Sequence, residues 1–271
     1  MCIAIAKLIY TGVPDMNDSV FNAQQREKLE DYTALIGVGI EFVFQPVIKS
    51  GTNDLIGYEA LLRGHDGESA QTVINGVKKE NLAFFDQACR SRAIKEASKY
   101  KLPGKLFLNC THTSFESLEL ALFMTADQAR EHGIERDQIV LEFSELAALG
   151  NPQQLALARK RAQSCGFEVC ADRYGVGDVG LTRLAVFRPD FLKLDQALIR
   201  DIHKKTLRQS VLQGINATAR TLGIEVIATG VETEQEAEWL SEKAHIKTFQ
   251  GFLFGHPQPG SELTEDQSQV A

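Results

Sequence analysis

Positive charge is scarce in this sequence. Lys and Arg number 29 against 36 Asp and Glu, giving a net charge of −7. A chain this acidic has little general attraction for polyanions, which argues against nonspecific nucleic-acid binding and adhesion to anionic membranes. It leaves room for a small anionic ligand held by local cations or bridging metal ions. Long hydrophobic runs are missing as well: no stretch approaches the roughly 20 apolar residues that span a bilayer. The opening Met1-Cys2-Ile3-Ala4-Ile5-Ala6-Lys7 has too short an apolar run and no basic leader for a signal peptide, so a cytoplasmic location is expected. The five cysteines (Cys2, Cys89, Cys110, Cys165, Cys170) are odd in number and contain no CxxC pair, which argues against zinc and against a disulfide framework. His65, His112, His132, His203, His245 and His256 are scattered without metal spacing. There is no internal repeat and no low-complexity tract.

What is present is ordinary globular composition, 44% hydrophobic and 24% charged, over 271 residues. That length suits one large domain, and an α/β barrel commonly takes about 250 residues. Residues 1–37 read as an extension, with a helix capped by Asn17 or Asp18 and running through Val20, Phe21, Leu29 and Leu35. Residues 38–259 read as the barrel domain and 260–271 as a polar, frayed tail. Strands are expected over 41–48 and 55–62, joined by a link too short for a parallel crossover and hence an antiparallel hairpin. Helical stretches follow at 69–80 and 82–100. Further strands are expected at 105–109, 139–143, 167–171, 191–194, 225–228 and 246–249. Amphipathic helices lie between most of them, one through Leu155, Leu157 and Ala158, another through Val211, Ile215, Ala219 and Leu222. Eight strands with helical crossovers predict a modified (β/α)8 TIM-type barrel with one antiparallel strand, with Glu59 on the reversed strand; an open doubly wound sheet competes.

In such folds function gathers at the carboxyl ends of strands. Asn109, Glu142, Asp172, Lys193, Asp195, Glu232 and Gln250 all fall at or just past predicted strand ends. One acid in such a place is usually a helix cap or a solvated charge. Several converging on one rim are harder to dismiss, because Glu59, Glu142 and Asp172 repel one another unless a cation joins them. With Asn109 they form an all-oxygen donor set suited to Mg2+, Mn2+ or Ca2+. A nearby lysine could steer a metal-bound water or a phosphate oxygen. From the residues alone, this is a metal-dependent phosphate-ester site.

An ordered set of motifs takes the reading further: Phe44-Gln45-Pro46-Val47, Glu59-Ala60-Leu61 with Arg63, Leu108-Asn109, Leu141-Glu142-Phe143-Ser144-Glu145, Lys193-Leu194-Asp195, Gly230-Val231-Glu232-Thr233 and Gln250-Gly251-Phe252. From about Phe42 to Pro259 the chain resembles the EAL domain family, whose active members are cyclic di-GMP phosphodiesterases. The resemblance implies a (β/α)8 barrel with one antiparallel strand. It implies a first divalent metal on Glu59, Asn109, Glu142 and Asp172, with Lys193 positioning the hydrolytic water. Glu145 would brace a loop reaching toward a dimer interface, and Gln45, Leu61, Arg63, Asp195 and Gln250 would hold the ligand. Active members use two metals to open one phosphodiester and release the linear dinucleotide.

Two positions depart from the family pattern. Asp-Asp-Phe-Gly becomes Asp172-Arg173-Tyr174-Gly175, so a second-metal aspartate is Arg173. Ala-Glu-Gly-Val-Glu becomes Ala228-Thr229-Gly230-Val231-Glu232, so a glutamate credited with metal-water contact or general-base work is Thr229. The serine-rich loop becomes Gly177-Asp178-Val179-Gly180-Leu181. The second metal site is less negative by three charge units. Charges about 4 Å apart interact by about 4 kcal/mol at an effective dielectric near 20. The second metal is therefore expected to be lost, Glu232 to be vestigial, and hydrolysis to be absent or very slow. Two readings of Arg173 stay open: it contacts a ligand phosphate, or it pairs with Asp172, Asp178 or Glu232 and closes the site. A third keeps weak hydrolysis, with Asp178, Asp195 or Glu232 supplying the missing ligand. Cyclic di-GMP and a protein partner such as a transcription regulator are the expected partners, and a homodimer is compatible with the family. Trp239 reads as packing, and Lys204-Lys205 with Arg208 as a solvated helix face.

Overall fold

A computed structural model describes residues 39–51, 54–111, 115–144, 146, 150–175 and 180–267. The helix expected over 17–36, the brace Glu145 and the loop residue Asp178 lie outside the described residues.

The chain opens with β1 (Ile40–Lys49) and β2 (Asp54–Gly64), an antiparallel hairpin with Gln45 opposite Glu59. Then come α1 (Ala70–Asn75), α2 (Leu82–Lys99), β3 (Lys105–Asn109), α3 (Phe115–Glu131) and β4 (Ile139–Phe143). α4 (Pro152–Ser164), β5 (Glu168–Tyr174), α5 (Leu181–Phe187), β6 (Phe191–Leu194), the short α6 (Gln196–Ile199) and α7 (Thr206–Leu222) follow. The chain continues through β7 (Glu225–Thr229), α8 (Glu234–Glu242), β8 (Thr248–Gln250), the two-residue β9 (Gln258–Pro259) and α9 (Gly260–Gln267). Strands β2 to β8 run parallel in sequence order, and β1 closes the barrel between β8 and β2, antiparallel to both. The reversed strand is therefore β1, and Glu59 stands on a parallel strand, contrary to the sequence expectation.

Alternation along the strands builds the two layers of the core. Leu106, Leu108, Ile139, Leu141, Val169, Ala171, Leu192, Leu194, Val226, Ala228 and Phe249 face outward into the apolar layer under the helices. Their neighbours Phe107, Val140, Cys170, Phe191 and Ile227, with Val47 of β1, form a separate cluster inside the barrel. Phe107 and Phe191 meet edge to face at 5.5 Å. Burying each such ring contributes about 1.5–3 kcal/mol. Two residues farther along each strand the inward position turns polar: Asn109, Glu142, Asp172, Lys193, Thr229. The same period of two that fills the barrel thus delivers the polar groups to one end of it.

Several boundaries differ from expectation. β5 continues to Tyr174 and carries a register shift between Ala171 and Tyr174, so Asp172 and Arg173 sit on a bulge rather than after the strand. The polar tail begins as a helix, α9, with Leu263 buried. Leu157 and Val211 are 39% and 54% exposed although helical spacing placed them on buried faces. In α7 the buried stripe runs through Leu212, Asn216 and Ala219, which rotates Val211 outward. Trp239 packs against the core as expected.

Candidate functional site

Lys193 is the centre of the polar layer and is almost wholly buried. Its ammonium lies 2.6 Å from Glu59 Oε2 and 2.5 Å from Glu142 Oε1, above the Phe107 ring. Gln250 donates to Glu59 Oε2 at 2.7 Å, and Asn109 Nδ2 lies 3.4 Å from Glu59 Oε1. Gln250 also reaches Gln45, whose amide donates to the Gly255 carbonyl. Asp172 accepts from Ser144 Oγ at 3.1 Å. The four expected metal-site residues and Lys193 are thus brought together by the five parallel strands β2 to β6.

Burial opposes a charge on Lys193, but Glu142, Glu59 and Asp172 around it outweigh burial and hold its pKa well above the usual lysine value. Burial pushes Glu59 up, and Lys193 overcomes it, leaving that carboxyl below its usual value. Glu142 goes the other way: burial, then the charge on Glu59, raises it well above the carboxylate range. Asp172 is raised as well, by burial first. Burial also raises the free thiols of Cys89, Cys110 and Cys170, the second to about 12, so none is an activated nucleophile.

The residues fit one hard divalent cation in type. Glu142 Oε2 is buried with no hydrogen-bond partner, and the neighbouring donors are all oxygens. In this arrangement the carboxylates close round the Lys193 ammonium. Among the described residues no three His, Cys, Asp or Glu side chains converge as a ready metal cage. Arg173, at φ 54 on the β5 bulge, sends a two-thirds-exposed guanidinium into the same cavity, 3.8 Å from Asp195 Oδ2. Neither Asp172 nor Glu232 is its ion-pair partner, so the two described residues expected to close the site on Arg173 do not do so. Thr229 turns its hydroxyl to the Leu194 carbonyl at 2.6 Å. Of the residues offered as substitutes, the two described ones are engaged: Asp195 caps α6 through the Ala197 N–H, and Glu232 is gripped by both terminal guanidinium nitrogens of Arg200.

The cavity over this layer is about 420 Å³ and mostly polar in lining, with Gln45, Glu59, Asp172, Arg173, Lys193 and Asp195 on one side. Thr229, Gly230, Glu232, Gln250 and the half-exposed Phe252 complete it. Gly251 is required there, since a Cβ would lie 2.0 Å from the Val231 carbonyl oxygen. Leu61 and Asn109 line a smaller adjacent cavity of about 220 Å³, which Glu59 shares. Arg63 lines neither, and donates to the Leu62 carbonyl. Sequence reasoning missed three supports. Arg90 on α2, buried and paired with Asp86, donates to the Asn109 carbonyl at 3.2 Å. Ser144 orients Asp172, and Arg200 holds Glu232. The Asp86–Arg90 spacing of four inside an apolar helix was the available signal for the first.

The EAL domain model matches residues 31–257. The blue light- and temperature-regulated antirepressor BluF of Escherichia coli is 28% identical over 93% of this chain and 63% of its own length. The E. coli cyclic di-GMP phosphodiesterase PdeR is 36% identical over 48% of this chain and 20% of its own length. The chain thus spans less than two thirds of these curated relatives. Among solved structures, a standalone versatile EAL protein of Vibrio cholerae in its c-di-GMP-bound form superposes with TM-score 0.77 at 32% identity, covering 82% of this chain and 94% of that one. The manganese/cy-diGMP complex of Klebsiella pneumoniae BlrP1 gives TM-score 0.74 at 25% identity, covering 95% and 71%. The family match runs from before β1 to the last barrel-closing turn and spans every strand that carries the polar layer, so this chain belongs to the EAL domain family.

Proposed function

We propose that this protein works in cyclic di-GMP signalling by binding the nucleotide without hydrolysing it at a useful rate. The observation that carries this is Arg173: a guanidinium stands in the cavity where hydrolysis by this family calls for an acidic ligand to a second cation. Relatives named as phosphodiesterase and as c-di-GMP-bound structures supply the ligand class. Glu59, Asn109, Glu142 and Asp172 would hold one Mg2+, Mn2+ or Ca2+ once Lys193 releases them. With an ion bound there, Glu59, Glu142 and Asp172 would be able to ionise together, and the site would offer positive charge to an anionic ligand. Arg173 supplies a fixed cation to a phosphate oxygen through two N–H donors. Gln45, Asp195 and Gln250 line the same cavity and position the rest of the ligand, whereas Leu61 and Arg63, expected to join them, do not line it. Thr229 stands where the family's glutamate base would be, a loss typically worth about 10²–10⁴-fold in rate.

Output then passes to a protein partner, in keeping with the antirepressor BluF among the relatives. A transcription regulator is the partner class, and a cytoplasmic, soluble homodimer is the form we assign to the protein. No described helix is long and apolar enough to cross a membrane. Arg173→Asp combined with Thr229→Glu tests the reading. Incubated with cyclic di-GMP and Mg2+ or Mn2+, the double variant gains formation of the linear dinucleotide by at least about 10²-fold. Hydrolysis as fast in the unmodified protein as in the double variant would overturn it and favour the active phosphodiesterase.

A further inference from the structure

Two neighbouring segments of the barrel rim are tied into one wall of the nucleotide cavity. The first runs from the end of β6 into α6 and carries Asp195 and Gln196; the second follows β7 and carries Gly230 and Glu232. The Thr229 hydroxyl donates to the Leu194 carbonyl at 2.6 Å, and the Asp201 N–H donates to Glu236 at 2.8 Å. Gly230, at φ 70, lies so close to α6 that a Cβ there would stand 2.5 Å from the Gln196 Cβ. The outer tie is Arg200 at the C-terminal end of α6, whose two terminal nitrogens take both carboxylate oxygens of Glu232. The other contacts already join the two segments, so what the Arg200 bridge adds is charge more than shape.

That charge is needed where it stands. Four carboxylates and two cations line the cavity. Lys193 is held between Glu59 and Glu142, and Arg173 approaches Asp195. Glu232 pairs with neither cation, and it is the more open acid, with a side chain 30% exposed against 15% for Asp195 and 13% for Glu59. A cyclic dinucleotide brings two phosphodiester charges into this space. A bare carboxylate at its edge repels them over about one Debye length, ~10 Å at 0.1 M salt. Arg200 does not line the cavity, so it answers Glu232 from behind without filling the space the ligand takes. Its two-pronged grip fixes the pair better than a single contact between exposed charges would.

We infer that Arg200 is a positioning residue for the ligand: it keeps Glu232 neutralised and drawn to the back of the wall, and so admits an anionic dinucleotide to a cavity lined mainly by acids. The inference rests on the nucleotide reading above. The test is calorimetric titration of the full chain with cyclic di-GMP and Mg2+ at about 0.1 M salt. Arg200→Gln is expected to raise Kd by about three- to ten-fold, and Arg200→Lys by less, because the charge remains. Glu232→Gln is expected to lower Kd, since it removes the acid and leaves the guanidinium. The double variant Arg200→Gln/Glu232→Gln is expected to return to within about two-fold of the unmodified protein, which also shows that it folds. At about 0.5 M salt the deficit of Arg200→Gln should shrink. A bridge that only braced the wall gives the opposite pattern: Glu232→Gln weakens binding as much as Arg200→Gln does, and the double variant is not rescued. Either of those results overturns the inference, and Glu232→Gln alone decides it should Arg200→Gln not fold. Binding by the unmodified protein that is indifferent to all these substitutions overturns this inference alone, whereas no binding by the unmodified protein overturns the nucleotide reading and this inference with it.

Discussion

Arg173 combines two unfavourable circumstances, a left-handed backbone that costs a non-glycine residue about 1–2 kcal/mol and a position beside a carboxylate-rich layer that suits metal ions. The bulge in β5 turns its side chain into the cavity, where among the described residues only a 3.8 Å approach to Asp195 restrains it. A cation so loosely held is available to a phosphate. Arg173→Ala should therefore weaken cyclic di-GMP binding by about ten-fold or more, the loss of one charge-assisted contact, measured by calorimetry. Arg173→Lys should recover only part of it, because a point charge cannot make the paired N–H contacts of a guanidinium. Affinity unchanged in Arg173→Ala would mean that the guanidinium does not touch the ligand. Beneath this site, Phe107 supports Lys193 from the dry interior. Phe107→Ala should cost about 3–5 kcal/mol in urea unfolding, from lost burial plus the cavity left under the lysine. A loss below about 1 kcal/mol would show that the barrel interior collapses to fill the hole.

Strands carried their message in the sequence better than helices did. β3, β4 and β6 fall where alternation put them, because each is a short apolar run ended by a polar residue that the barrel rim needs. The orientation of β2 was misjudged, since a hairpin link fixes that two strands are antiparallel but not which of them opposes the remainder. The Asp172–Arg173 bulge left no mark in composition. Helical periodicity misplaced Val211 and Leu157, because small shifts in helix rotation move a residue at the edge of an apolar stripe to the surface. The support given by Glu236 was equally hidden: it accepts N–H bonds from Asp201, Glu232 and Thr233, tying α8 to the turn before α7. Burial opposes its charge, yet these backbone donors outweigh it and hold its pKa below the usual glutamate value. A lowered folded-state pKa means that the stabilisation is present above the unfolded-state pKa and is lost as pH falls through the folded one. Glu236→Gln should cost about 1.5–3 kcal/mol near neutral pH, and the difference from the unmodified protein should shrink under acid. A difference independent of pH would contradict an ionised Glu236.

At the scale of the whole molecule, the cations of this acidic chain differ in how far neighbouring carboxylates neutralise them. Lys193 is neutralised by the carboxylates around it, and Arg200 is absorbed by Glu232. Arg173 faces the nucleotide cavity. The ordered polar groups made the family legible in the sequence, since a barrel sends all strand ends to one rim. What the sequence could not supply was which acids are already engaged, and that decides whether a second cation could be reassembled from Asp195 or Glu232. Both make other contacts, with the Ala197 N–H and with Arg200, which is in keeping with the proposed receptor role. The most direct test is to incubate the unmodified protein with cyclic di-GMP and Mg2+ or Mn2+, following heat of binding by calorimetry and products by chromatography in the same samples. Saturable binding with the cyclic dinucleotide recovered intact is the predicted result. Rapid appearance of the linear dinucleotide, or no binding with or without metal, would contradict it.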